Sequence, residues 1–182
     1  MRHLFAGIEG CEGLLRGLTP PSQAQTIDEV KLYMNAATTY FGRSFSEATL
    51  CGAVLQVAFM GLFLFSKNTD IPDDCNTLVK RANGKAIRFC VGRRVHDIPI
   101  GLLIYAGRNQ FNHWDDEAFD YPTAQVFVAL MMAHDNNPLF DMAYELNYPA
   151  RGLKANHVVL NELCWSSFAA YEADMRALLD EG

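Results

Sequence analysis

The sequence predicts an all-α protein, a single domain built as an antiparallel helical bundle. Three observations lead there. Apolar residues recur at three- and four-residue spacing along most of the chain. Those stretches are bounded by capping residues, prolines and glycines. No set of alternating segments makes a convincing sheet, and the short connections favour antiparallel neighbours. With 182 residues, half of them apolar or aromatic, the chain has enough material for one substantial core. No repeat, low-complexity tract or long linker divides it, so residues 1–182 read as one helical domain with an irregular N-terminal segment over 1–25.

Leu4, Phe5, Ile8, Cys11, Leu15 and Leu18 fall at helical spacing, weakened by Gly7, Gly10, Gly13 and Gly17. "LTPPSQ" then breaks the chain. Thr26 and Glu29 form a capping box that opens a helix to about Tyr40, stopped by Gly42, and Ser44 with Glu47 opens a second one to about Phe65. The apolar run 50–65 is about 16 residues long and contains Gln56; spanning a bilayer takes roughly 20, so the expectation is a central helix buried on all sides. Pro72 sits in the first turn of a helix ending at Gly84. Residues 85–95 fit either a short helix or an extended connection, since Ile87, Phe89 and Val91 alternate.

A helix over about 97–114 follows, with Pro99 near its start. "FDYPT" opens the next, which ends at "DNNP". A short helix is expected over 138–147, and "NYPARG" breaks the chain again. Asn156 caps a long amphipathic helix with Val159, Leu160, Leu163, Phe168, Met175, Leu178 and Leu179 on its apolar face.

The net charge of −6 argues against a non-specific DNA coat, which needs a broad basic surface. Cys11, Cys51, Cys75, Cys90 and Cys164 are scattered, without a CxxC pair, as expected of reduced and mostly buried thiols in the cytoplasm. Glu9 and Glu12 interrupt any signal-peptide core, and no membrane association is expected.

The stretch that carries chemistry is "YAGRNQFNHWDDE", residues 105–117. At about 100° per residue, Arg108 and Asn112 lie one turn apart, as do Asn109 and His113, so the four cover roughly 140° of the helix surface. Tyr105 extends the stripe by a turn. An arginine fork suits phosphate oxygens, a histidine exchanges protons near neutral pH, and asparagine orients either without adding charge. Together these suffice to cleave RNA without a metal: a base takes the ribose 2′-OH proton, the oxygen attacks phosphorus, a cation stabilises the phosphoryl oxygens, and an acid protonates the departing 5′-oxygen. One histidine does not easily serve as both base and acid in one turnover. A two-fold dimer would supply two. Asp115, with Asp116 and Glu117, either biases His113 toward its protonated form or simply opens the next helix.

"RNQFNH" has the form R-N-x-x-x-H and resembles the signature of HEPN domains, helical bundles of bacterial toxin, anti-phage and RNA-processing systems. The resemblance implies a metal-independent endoribonuclease with its site at a homodimer interface. It needs no cofactor, and a regulatory or antitoxin protein is a possible further partner. It places Arg108, Asn109 and His113 in the catalytic positions; the stripe itself adds Asn112 and Tyr105 as supporting residues. Some members of the family are inactive dimerisation modules. A looser match, Arg151 to His157, follows Pro149 and contains Gly152, so it falls in a turn and forms no stripe.

Ahead of the motif, "KRANGKAIRFCVGRR" holds Lys80, Arg81, Lys85, Arg88, Arg93 and Arg94 without an acidic residue, which reads either as a track for an RNA backbone or as a solvated face. The competing enzyme class is a metal-dependent phosphohydrolase using the His134-Asp135 dipeptide, with His96, His113 and His157 available as ligands. "AHDNNP" resembles a helix terminus more than a helix interior, which disfavours that reading. The non-enzymatic alternative makes the stripe a dimer contact only. Trp114 and Trp165 read as packing anchors.

Overall fold

The longest element comes from the segment that the capping boxes divide in two. In the computed structural model, which describes residues 1–7, 27–113, 120–134 and 154–180, helix α1 runs unbroken over Ile27–Phe65. Gly42 does not stop it, because one glycine costs only about 1 kcal/mol inside a helix. The hydroxyls just beyond are satisfied within the helix: Ser46 Oγ donates to the Gly42 carbonyl at 2.9 Å and Thr49 Oγ1 to the Phe45 carbonyl at 2.8 Å. Nothing therefore requires a new helix start at Ser44.

After α1 the chain is more irregular than expected. Pro72 precedes a single 3₁₀ turn, Asp73–Cys75, instead of a helix reaching Gly84. The ambiguous stretch resolves into a short helix α2 (Gly84–Ile87), strand β1 (Arg94–Val95) and strand β2 (Ile98–Pro99). The two strands pair antiparallel, Arg94 with Pro99 and Val95 with Ile98. Helix α3 (Ile100–Asn112) starts directly from β2, and helix α4 (Tyr121–Ala133) follows; both match the expected helices closely. The short helix expected over 138–147 lies outside the described residues.

The last expected helix is interrupted. Helix α5 (Lys154–His157) continues into a π-helical turn, Val158–Glu162, in which the Leu163 amide donates to the Val158 carbonyl at 2.9 Å. Cys164 then adopts a left-handed backbone at φ 55°, and helix α6 (Phe168–Asp180) begins anew. Asn156 lies inside α5 and does not cap the long helix. The break lets Trp165 turn fully into the core, where its indole N–H donates to Asp174 at 2.7 Å.

α1 is the spine: it packs on α3, α5 and α6, while α3 also packs on α4 and α5. Cys51, Val54, Leu55, Ala58 and Leu62 of α1 meet Leu102, Leu103, Ile104 and Ala106 of α3 in one core. Helical residues 2–7 add Phe5, whose ring meets those of Phe168 and Tyr171. Close approach of α3 and α1 relies on Gly52, where a Cβ would overlap the Phe111 ring.

α1 is not buried on all sides. Residues 45–65 are long and apolar enough to cross a membrane by length and composition alone, but one face is sealed against the bundle while Val57, Met60, Leu64 and Phe65 are exposed. The helix expected to vanish into the core therefore presents an apolar stripe outward.

Candidate functional site

α3 is buried on every side from Ile100 through Gly107, and the polar residues that follow emerge beside α1 and the start of α4. Arg108 and Asn109 are half-buried there; Asn112 and His113 are exposed at the end of the helix. His113 is the C-cap, its backbone N–H donating to the Asn109 carbonyl at 2.9 Å.

Arg108 reaches across to α1. Its Nε donates to Gln56 Oε1 at 3.0 Å and its NH1 to Asn109 Oδ1 at 3.1 Å. The guanidinium carbon lies 4.6 Å from the centroid of Phe59. Asn112 stands beside it: its amide nitrogen donates to Gln56 Oε1 at 3.0 Å, and with the amide turned over its oxygen instead accepts from Arg108 Nε at 2.9 Å and NH2 at 3.1 Å. No carboxylate pairs with Arg108 among the described residues. Burial lowers its pKa from the ordinary arginine value, opposed by the field of Tyr105. The bonds to Gln56 and Asn109 occupy one hydrogen each on Nε and NH1, and the turned Asn112 amide occupies one on NH2, so at least two of the five guanidinium N–H donors remain for a ligand.

Asp120 organises the other side. As N-cap of α4 it accepts from the Thr123 amide at 3.1 Å through Oδ1. Its Oδ2 accepts from the Tyr105 hydroxyl at 2.5 Å and from Asn109 Nδ2 at 3.5 Å, and Asn109 also donates to Thr123 Oγ1 at 3.3 Å. Burial, reinforced by the Asp120 carboxylate, pushes the Tyr105 phenol well above the usual tyrosine range. Asn109 is thus pinned from both sides, with its amide oxygen turned to Arg108.

The structure brings Arg108, Asn109, Asn112 and Tyr105 into one hydrogen-bonded group with His113 at its open end. Asp115 lies outside the described residues. Sequence reasoning missed Gln56, Phe59, Asp120 and Thr123. Gln56 had a visible signal, as the only amide in an apolar run. Asp120 had another: it is an acceptor two residues ahead of Pro122, where an N-cap is expected.

The basic run divides. Lys80 lies 4.0 Å above the ring of Tyr121, next to Asp120, and Arg88 lies 5.8 Å from the centroid of Phe63, which stacks on Phe59 at 6.1 Å. Both are thereby linked to the Arg108 side. Arg93 instead forks onto Asp174 at 2.9 and 2.8 Å, and Arg94 holds Asp74 at 2.8 Å. Arg81 and Lys85 are exposed. The six cations therefore do not form one continuous track, because two are neutralised by carboxylates.

Of the histidines weighed as metal ligands, His113 stands with Arg108, whereas His96 and His134 meet at the far end of α3 and α4, and Asp135 is outside the described residues. Cys51, Cys75 and Cys90 are buried, as expected; Cys164 is exposed. No family model matches the chain, and neither a curated protein nor a solved structure does.

Proposed function

We propose that the protein is a metal-independent endoribonuclease of HEPN type, acting in the cytoplasm as a two-fold homodimer. The observation that carries this reading is Arg108: a half-buried guanidinium held by neutral amides and an aromatic face, with two N–H donors to spare and no carboxylate partner among the described residues. Such a cation is a receptor for an anion, and the fork geometry suits a phosphate. Gln56, Asn109 and Asn112 fix its plane without cancelling its charge.

In the proposed reaction His113 of one protomer takes the 2′-OH proton. The freed oxygen attacks the adjacent phosphorus, and His113 of the second protomer protonates the departing 5′-oxygen. Arg108 stabilises the charge on the non-bridging oxygens. The products end in a 2′,3′-cyclic phosphate and a 5′-hydroxyl. The exposed stripe Val57, Met60 and Leu64 lies on the same helix as Gln56 and Phe59 and would serve as the apolar contact of the dimer. Lys80 and Arg88 flank it and would hold neighbouring phosphates.

A second reading, an inactive dimerisation module, is favoured by the three Arg108 donors already bound within the chain. One experiment separates the two. Wild type, Arg108→Ala and His113→Ala are incubated with structured and unstructured RNAs in the presence of EDTA, and the product ends are analysed. Cyclic-phosphate ends from wild type alone, with helicity and oligomeric state unchanged in the variants, support the nuclease. Identical behaviour of all three supports the module, and activity restored to the EDTA-treated protein only by magnesium or manganese removes the proposal.

A further inference from the structure

At the end of the α3–α4 pair opposite Arg108, three side chains from three elements converge. His96 comes from the β1–β2 turn, His134 is the C-cap of α4, and Glu162 closes the π-helical turn after α5. His134 Nε2 lies 3.0 Å from Glu162 Oε1, His96 Nε2 lies 3.5 Å from Glu162 Oε2, and the imidazole centroids are 4.5 Å apart. All three donor atoms fall within 4.8 Å of one another. α4 has 13 residues, so about 20 Å of helix separates this group from Asp120.

We infer that His96, His134 and Glu162 bind a divalent first-row transition cation, zinc(II) by the character of the donor set. Two imidazole nitrogens and one carboxylate oxygen are donors that zinc favours over calcium or magnesium. A tetrahedral shell with bonds of about 2.0–2.1 Å sets its donors roughly 3.3 Å apart, so the observed spacing closes around an ion with small side-chain rotations. Glu162 is 2% exposed, and its two carboxylate oxygens face the two imidazoles. His96 is 36% exposed on its side chain, so the group opens to solvent on one side, where the ion enters and water completes its coordination.

The site is built by backbone that local preference alone would not choose. His96 at φ 50° and Asp97 at φ 62° form a two-residue hairpin turn without a glycine, and the π-helical turn displaces Glu162 from ordinary helical register. A bound ion would staple the hairpin, the end of α4 and the α5 turn together. This is independent of the nuclease proposal, because the group is remote from Arg108 and requires no RNA.

The test uses the full chain, stripped with a chelator and titrated with zinc(II) alone and then with cobalt(II). One equivalent per chain is expected, with a rise in melting temperature and a visible cobalt spectrum of nitrogen and oxygen ligation. His96→Ala, at an exposed turn, should lower zinc affinity more than about 100-fold, since even outer-sphere partners of a bound metal are worth ~10–100-fold. Glu162→Gln should do the same, and its far-ultraviolet circular dichroism checks that the variant is folded. Lack of stoichiometric uptake, equal uptake by His96→Ala, or a thiolate charge-transfer band from the cysteines would each overturn the assignment.

Discussion

Arg93 and Arg108 carry the same charge into opposite settings. Arg93 forks onto Asp174, donates to the Leu163 carbonyl as well, and has its pKa raised chiefly by that carboxylate. Arg108 is turned into the flank between α1 and α3, has its pKa lowered by burial, and among the described residues meets amides and the Phe59 ring. The first is a clamp whose charge is spent inside the fold, and it fixes α6 to the chain ahead of α3. The second keeps its charge available. A sequence reading that counts cations treats the two alike; their partners separate them.

That contrast is open to attack by substitution. The largest effect expected is on cleavage: Arg108→Ala should lower the rate by about 10²–10³-fold, the scale for losing a donor that stabilises transition-state charge, with little change in melting temperature. Arg108→Lys should recover only part of it, because an ammonium cannot present a fork. At the clamp the pattern should invert. Asp174→Ala strands Arg93 and the fully buried Trp165 indole, and should cost about 2–3 kcal/mol of stability in denaturant titration while leaving cleavage intact at temperatures where the variant is folded. Equal losses of activity from both changes would erase the distinction.

A smaller effect is expected at the packing beneath the motif. Gly52→Ala drives a methyl into the Phe111 ring and should cost about 1–3 kcal/mol, read from the melting temperature, while tilting the end of α3 that carries Asn112 and His113. The smallest is a pH effect. Tyr105 titrates higher in the fold than unfolded, so its stabilising contribution is complete below the unfolded value of about 10 and is lost as pH rises toward the folded value. Tyr105→Phe should therefore flatten the alkaline limb of the stability curve without moving the acid limb. An unchanged alkaline limb would mean that burial and the Asp120 bond do not hold the phenol protonated.

Much of this architecture could be read from residue spacing. The apolar faces of α3 and α4, and the placement of Arg108, Asn109 and Asn112 on one flank, follow from helical periodicity, which acts over a few residues. Errors arose where local signals competed with contacts remote in the chain. Ser44 and Glu47 have the letters of a cap, yet the helix runs through them. Val159 and Leu178 share an apolar pattern, yet the helix is interrupted between Glu162 and Phe168, where the buried Trp165 indole donates to Asp174 of α6. The basic run looked uniform because Asp74 and Asp174, which neutralise two of its members, are distant in sequence.

The sequence by itself determined the helical class, the extents of α3 and α4, and the polar stripe at the end of α3, because each depends on signals within a few turns of chain. Tertiary structure alone decided that Gln56 and Phe59 would receive Arg108, that Asp120 would lock Tyr105 and Asn109, and that His96, His134 and Glu162 would meet. Those pairings join residues many turns apart. Their energy comes from burial and from the need to satisfy every polar group removed from water, and neither is settled until the helices pack.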